Sequence, residues 1–585
     1  MSKLVLFPAL SVALSLAAVR AAERTYSGAD GGDWATAANW APAGVPGADD
    51  KVVITNGWVS LAQSATIASL SLSGGTLTVG GATASVASQT PLVPGFAGSL
   101  SLTVTGDATV SGQISVGGFR QAARSVLSVG GDLTLDPGGV LAVYAGPTNA
   151  AVSFLDGGAR VTVAGTMHVG NGSTVYPDCD PVTGAGVVFD LGAIELDKGG
   201  SFNAESRGFD WTEYTGSAPA GSVTWANEGK TYYTFAPGRG RDYGAGGGYG
   251  GPGGGMSTYG GIPYGYTYGT ASAPYLPGSP AGLYKEAMAR GGGLIRIQAT
   301  NAVIDGLLSA DDPSEDNTSY YTCGASGGAI WILADAVQFG RNAHLRARGG
   351  MSANYVAGGG GRICVSIGLD DTQLAGLVAG GPLPAGFTAG DLRGVVATAR
   401  GGHGMGVLSS TREGTACAVY PDASLVIVGS PAGVGSPSPA YGMVMGELND
   451  TMSCSVPDTV AAASDAGDIR YLPDGYILED LATGAAVTNP SGRSVLVTLD
   501  SPRKLTWLWT NRQDRLQIEA VSGGSVNVGG VPAAGGTNVW ADVGASWPSV
   551  TAVADAGMEF LCWLGEVPRG QRGPGRRSSA ADERF

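Results

Sequence analysis

Apolar and polar residues alternate in short runs along most of this chain, and the runs break at glycine rather than lengthening into a 3.6-residue period. Three nine-residue frames line up in the first third: "LTVTGDATV" (Leu102 to Val110), "LSVGGDLTL" (Leu127 to Leu135) and "VTVAGTMHV" (Val161 to Val169). Each reads as a period-2 strand, a turn containing glycine, and a second period-2 strand. Shorter echoes, "LSLSGGTLTVGG" from Leu70 and "GQISVGG" from Gly112, fall between them. The frames start 25 and 34 residues apart, the irregularity expected of stacked repeats that carry insertions at one corner.

A second block repeats more tightly. "GGLIRIQA" (Gly292 to Ala299), "GGAIWILA" (Gly327 to Ala334) and "GGRICVSI" (Gly360 to Ile367) superpose with Gly293, Gly328 and Gly361 at spacings of 35 and 33. The first two are followed by a matching second strand pair around Gly306 and Gly340. An Ile-x-Ile strand after the glycines excludes a phosphate loop, which needs a helix N-terminus there. A strand–turn–strand unit of this size cannot bury its own apolar face, so neighbours must stack edge to edge. The predicted fold is all-β: a right-handed parallel β-helix, or solenoid, followed by small antiparallel β-domains. Ile295, Ile297, Ile330, Ile332, Ile363 and Val365 are expected to form vertical ladders inside it, with Gly and Asn supplying positive-φ corners.

The pattern divides the chain. Residues 22–235 read as an N-terminal β-solenoid with a Trp-rich cap, and 291–428 as further coils. Between them, 236–290 is a Gly/Tyr-rich excursion, read either as an ordered cover whose tyrosines lie on the solenoid or as a flexible loop. "GSPAGVGSPSPAYG" (Gly429 to Gly442) opens a region of short antiparallel strands. It divides into a small β-domain over 429–511 and another over 512–568, meeting near Asn511. The last residues, 569–585, carry five arginines and read as a disordered or frame-shifted tail.

Composition narrows the function classes. With 99 glycines in 585 residues, long helices are disfavoured, since each interior glycine costs a helix ~1 kcal/mol. Residues 1–21 carry Lys3, an apolar run, and Val19 and Ala21 at the small-residue positions of a cleavage site, so they read as a signal peptide. No later segment is apolar enough over its length to be a transmembrane helix. Removing Lys3 and Arg20 leaves 31 basic against 48 acidic residues, a net charge of −17 that repels nucleic acid and anionic membranes. The six cysteines, Cys179, Cys323, Cys364, Cys417, Cys454 and Cys562, form no CxxC pair. Export permits a Cys323–Cys364 bridge between neighbouring coils, although buried free thiols are the expected state.

Two stretches resemble known families. "GGDWATAANWAPAGVPGADDKVVI" (Gly31 to Ile54) resembles the entry segment of bacterial autotransporter-type and adhesin-like surface β-helix proteins, through Trp34, Asn39, Trp40, Pro46, Gly47 and Asp50. The resemblance implies that the two tryptophans close the open end of the core. Further on, "RLQIEAVSGGSVNV" and "SVTAVADAGMEFLCWLGEVPRG" resemble a divergent internalin-type B-repeat, a bacterial repeat domain, through Gly523, Gly524, Ser525, Val526, Gly557, Phe560, Trp563 and Gly565. That family implies a small all-β spacer or binding module on a bacterial surface, without catalysis.

Candidate chemistry is sparse. Parallel β-helices also host polysaccharide lyases and glycoside hydrolases, whose sites bring carboxylates, or carboxylates with Lys/Arg and calcium, together on adjacent coils. The acids available are Asp305, Asp311, Asp312, Glu315, Asp316 and Asp335, with Arg296, Arg346 and Arg348 nearby in the repeat register. An enzyme requires three or more such groups converging in a groove on one face, whereas a scaffold scatters them. The excursion "DDPSEDNTSYY" reads either as a Ca²⁺-binding loop or as a solvated one, and an acid-rich loop ordinarily keeps a repeat protein soluble. His168, His344 and His403 are too far apart for a zinc site, and no nucleophile motif is present. No residue is therefore assigned a catalytic, cofactor-binding or metal role, and no cofactor is expected. The sequence favours a non-catalytic secreted or cell-surface bacterial protein for adhesion or carbohydrate and matrix contact, with polysaccharide or other surface proteins as partners and no nucleic acid. The alternative is a β-helical polysaccharide lyase or glycoside hydrolase.

Overall fold

The computed structural model describes residues 21–80, 100–118, 124–147, 157–214, 217–227, 230–240, 245–254, 265–282, 289–313, 323–340, 342–351, 356–391, 397–400, 413–421, 423–457, 461–462, 469–518, 524–533, 537–542 and 545–558. The fold over these residues is all-β, with one α-helix, Asp371–Val378, among them. No helix of the described residues is long and apolar enough to cross a membrane. The signal-peptide residues 1–20, Glu315, Asp316, His403, Cys562, Gly523, Phe560, Trp563, Gly565 and the tail 569–585 lie outside the described residues.

Two sheets dominate, one of 23 strands and one of 10. The 10-stranded sheet is parallel throughout, and one buried position runs down it in register: Val59, Leu77, Ile114, Leu141, Val175, Phe202, Leu308, Leu345 and Ala397. In the larger sheet Val187, Ile295, Ile330, Ile363 and Ala416 pair in the same way, as do Phe189, Ile297, Ile332, Val365 and Ala418. The vertical ladders expected from the repeats are thus present, with Ile295, Ile330 and Ile363 fully buried and directly in register. Each such side chain contributes about 1.5–3 kcal/mol by leaving water, and only its neighbours in the stack make that possible. Both sets of ladders face one continuous core that runs from Tyr26 to Met443.

The larger sheet is mixed rather than uniformly parallel. Trp40–Ala41 pairs antiparallel with Glu23–Tyr26, Phe387–Asp391 with Thr415–Pro421, and Gly442–Met445 with Ala329–Phe339. At its first edge Trp34 and Trp40 are buried edge to face, 4.9 Å between ring centres, and the Trp40 indole donates to Trp34 O at 2.8 Å. Asp50 is nearly buried there and accepts from Ala22 N, Gly47 N and Arg24 Nε at 3.0, 2.9 and 2.6 Å. Trp34 and Trp40 belong to the core cluster at this end, and Asn39 Nδ2 donates to Asp33 O at 2.9 Å.

The glycine blocks work differently from expectation. Gly293, Gly328 and Gly361 do not adopt positive φ, so they are not left-handed corners. Backbone lies against them instead. A Cβ on Gly328 would sit 2.0 Å from Gly293 O, and one on Gly361 2.1 Å from Gly328 O. The runs that lead from the smaller sheet back to the larger one pack with the described part of the Gly/Tyr-rich segment and are joined by backbone hydrogen bonds. Gly292 N donates to Ser326 O, Gly327 N to Gly359 O, Gly359 N to Gly247 O and Gly251 N to Gly360 O. Glycine is required because these backbones lie closer than any side chain permits. Of the tyrosines in the segment, Tyr249 is fully buried with its ring 4.6 Å from that of Tyr268, whereas Tyr266 is exposed.

Beyond residue 424 two smaller apolar clusters form, one around Trp507 and Trp509 and one around Ile518, Val526 and Val539. The long strand Arg503–Ile518 contributes to both and runs through the junction placed near Asn511. The sequence "DLATGA" at Asp480 repeats "DPVTGA" at Asp180, and both fold as one turn. In each the Asp Oδ1 accepts from the amides two and three residues on, and the glycine has a φ near +74° or +73°. Burial raises the pKa of Asp180. In Asp480, a 2.7 Å bond from Ser501 Oγ, the Thr483 amide and Arg503 at 3.1 Å lower it to about 2. Its folded pKa is depressed, so its stabilising contribution is present above the unfolded value of ~3.9 and is lost as pH falls through about 2. A carboxyl-resolved NMR titration should find Asp480 among the most acidic carboxyls, with Ser501→Ala moving it upward. An ordinary Asp480 titration in the parent chain would contradict the assignment.

Candidate functional site

Two groups of buried charge lie at the strand ends of the 10-stranded sheet. Asn203, Ser309 and Arg346 stand in register there, and the chain continues to Glu205, Asp311 and Arg348 on successive rows. Ser309 Oγ donates to Glu205 Oε1 at 2.6 Å, and Arg346 reaches the same oxygen at 3.3 Å. Arg346 Nε lies 3.3 Å from Asp311 Oδ2, which Arg348 Nη2 also approaches at 2.8 Å. The Arg348 amide donates to Asp311 Oδ1 at 2.6 Å. Asp311 is 1% exposed, so the carboxylate is reached only through its arginines. Its burial raises the pKa, against the opposing pull of the Arg348 bonds and the two guanidinium charges.

A second group lies at rows closer to the N-terminus. Asp178 pairs in register with Tyr144 and is bound by Arg207 Nη1 at 2.6 Å and Arg290 Nη2 at 3.1 Å. Arg290 also donates to Gly208 O at 2.9 Å, and Arg207 lies over the Tyr176 ring, 4.7 Å from its centre. Burial, reinforced by the Asp178 charge, pushes the Tyr144 hydroxyl and the Cys179 thiol up to about 12. Both groups are thus held neutral near pH 7, unsuited to act as nucleophile or base.

Two of the nine acid and arginine candidates lie outside the described residues, and the rest divide. Asp311, Arg346 and Arg348 converge, joined by Glu205. Asp305 accepts from the amide and side chain of Asn342 at 2.8 and 3.0 Å. Asp312 is buried and accepts from Ala325 N at 2.7 Å. Asp335 is exposed on its strand, and Arg296 is buried with its guanidinium 5.2 Å from the Trp331 ring centre. His168 pairs with Glu195 at 3.0 Å on the surface, and His344 is exposed at a strand start. Among the described residues no group of three or more His, Cys, Asp or Glu is placed to hold a metal ion.

Sequence reasoning missed Asp178, Glu205, Arg207 and Arg290. Arg290 lies 112 residues from Asp178, in a glycine run without periodicity, so no local signal joins them. A rule was available for the acids that follow glycine at the bends. Asp107 Oδ1 accepts from Asp132 N at 2.9 Å and Asp132 Oδ1 from Thr166 N at 2.7 Å, each carboxylate serving the amide of the next row. Comparisons with family models, with curated proteins and with solved structures find no match to this chain.

Proposed function

We propose that this chain is a non-catalytic secreted or cell-surface protein, a right-handed parallel β-helix with small β-domains after it, that makes adhesive contact with carbohydrate or matrix. The in-register parallel ladders of the 10-stranded sheet and of the parallel part of the larger sheet support the winding. The Trp34–Trp40 end and the antiparallel Gly524–Val528 and Val550–Ala554 strands are consistent with a relationship to autotransporter-type surface proteins and to B-repeat modules. The observation that carries the non-catalytic reading is the use of Asp305, Asp311 and Asp312. Each accepts hydrogen bonds from this chain's own backbone, and Asp311 is also closed off by two arginines. A net charge of −15 for the full sequence favours neutral or cationic surfaces over acidic glycans.

One observation favours an enzymatic reading. Glu205, Asp311, Arg346 and Arg348 meet at the ends of three neighbouring strands, with Arg346 and Arg348 side chains 33% and 27% exposed. Co-sedimentation of the full chain with insoluble neutral, cationic and acidic polysaccharides, followed by assay of the supernatant for released oligosaccharides, separates the two. Retention on a neutral or cationic polymer without product supports adhesion. Product formation that disappears in Arg346→Ala would replace it with a depolymerase, and absence of retention on every polymer would remove carbohydrate contact.

A further inference from the structure

We propose that Cys364 and Cys417 form a dithiol site that closes to a disulfide by exchange with a small-molecule disulfide, and that closure releases the strap Thr270–Ala273. The two cysteines are directly opposed in register on the neighbouring parallel strands Arg362–Ile367 and Thr415–Pro421, at a position facing away from the main core. Parallel neighbours lie ~4.8 Å apart, inside the ~4.4–6.8 Å Cα range that a disulfide spans. Opposed side chains of a parallel ladder point the same way, so the Cβ atoms must draw together by about 1 Å to reach the ~3.8 Å of a relaxed disulfide. The bond is formed under mild strain and is correspondingly easy to reduce, as a switch requires.

Both thiols presently hold the strap. Cys364 Sγ donates to Ser272 O at 3.5 Å and Cys417 Sγ to Ala271 O at 3.1 Å. Ala273 packs with Trp331, Leu333, Cys364, Leu374, Leu377 and Val419, so the strap and the helix Asp371–Val378 cover the same outer face. The other described cysteines lie in separate clusters: Cys179 beside Tyr249, Cys323 beside Ala325 and Val356, and Cys454 near Trp507. The Cys323–Cys364 bridge allowed by the sequence is therefore not the pairing that the register favours.

Cys364 is fully buried and Cys417 only partly, which sets the order of the reaction. The Cys417 thiol loses its proton, and its thiolate attacks one sulfur of oxidised glutathione and expels a glutathione thiolate. Burial holds the proton on Cys364, so this thiol reacts only after passing that proton to the glutathione thiolate released first; its sulfur then attacks the Cys417 sulfur of the mixed disulfide and expels the second glutathione thiolate. Two electrons pass from the cysteine pair to the glutathione disulfide, and the two protons released are taken up by the departing thiolates. Neither sulfur then carries a hydrogen, so Ser272 O and Ala271 O lose their donors.

The test uses the full chain equilibrated with oxidised glutathione, blocked with an alkylating agent, and mapped by mass spectrometry without reduction. A peptide pair joined through Cys364 and Cys417, lighter by two hydrogens, is expected, together with faster amide exchange over Thr270–Tyr275. Cys364→Ser is expected to stop at a glutathione adduct on Cys417, and Cys417→Ser to yield no linked peptide at these strands. Because the wild-type map is independent of how the variants fold, independent alkylation of both thiols there, or linkage of Cys364 to Cys323, overturns the proposal. Linkage with unchanged exchange over the strap overturns its release.

Discussion

Gly328→Ala is expected to destabilise the protein by about 3 kcal/mol, the upper end of what overpacking ordinarily costs, or to prevent folding, although it adds one methyl group. The new Cβ would stand 2.0 Å from Gly293 O and 2.4 Å from Gly292 C, where contact distances are ordinarily above 3.4 Å. A clash with a flexible side chain is relieved by a rotamer change, but here the opposing atoms are backbone. They belong to a chain whose own amides are engaged, Gly292 N to Ser326 O and Gly293 N to Ala204 O. Relief therefore requires separating two rows, which breaks the Ile295–Ile330 ladder beside them. Gly376→Ala, in the helix Asp371–Val378, is the control. Nothing lies within 4 Å of its Cβ position, and the substitution is expected to be neutral or to stabilise by about 0.5–1 kcal/mol. Urea midpoints of the two variants against the parent decide the matter. Equal, small effects would mean that the rows are not in backbone contact.

Arg290→Met is expected to cost about 3–5 kcal/mol, because it leaves a buried carboxylate with one of its two cations. Asp178 is 3% exposed, and it keeps only Arg207 at 2.6 Å after the change. Gly208 O also loses the donor that ties this turn to the glycine-rich layer. Removing the charge as well, in Asp178→Asn with Arg290→Met, should recover part of the loss, since a buried ion pair as a whole adds little over an uncharged replacement. The double-mutant cycle measures this directly. Additive effects would show that Asp178 and Arg290 do not depend on one another.

The strands, their alternation and their stacking order were legible along the chain, because a period-2 pattern that returns every 33 or 35 residues admits few arrangements that bury Ile295, Ile330 and Ile363 together. The turn acids were partly legible, since Asp-x-x-Thr-Gly-Ala occurs twice and folds alike both times. The purpose of the doubled glycines was not. A glycine required for positive φ and one required for backbone contact are identical in sequence, and only the neighbouring chain distinguishes them.

The sequence by itself determined the all-β character and the ladder positions, because those depend on periodicity and side-chain volume that each repeat carries locally. Tertiary structure alone decided that Asp178 meets Arg290, that Glu205 and Asp311 share Arg346, and that Cys364 stands beside Cys417. Those contacts join residues 35 to 141 positions apart along the chain. Electrostatic pairing acts through a few ångströms of space, and the insertions between rows set which residues come that close.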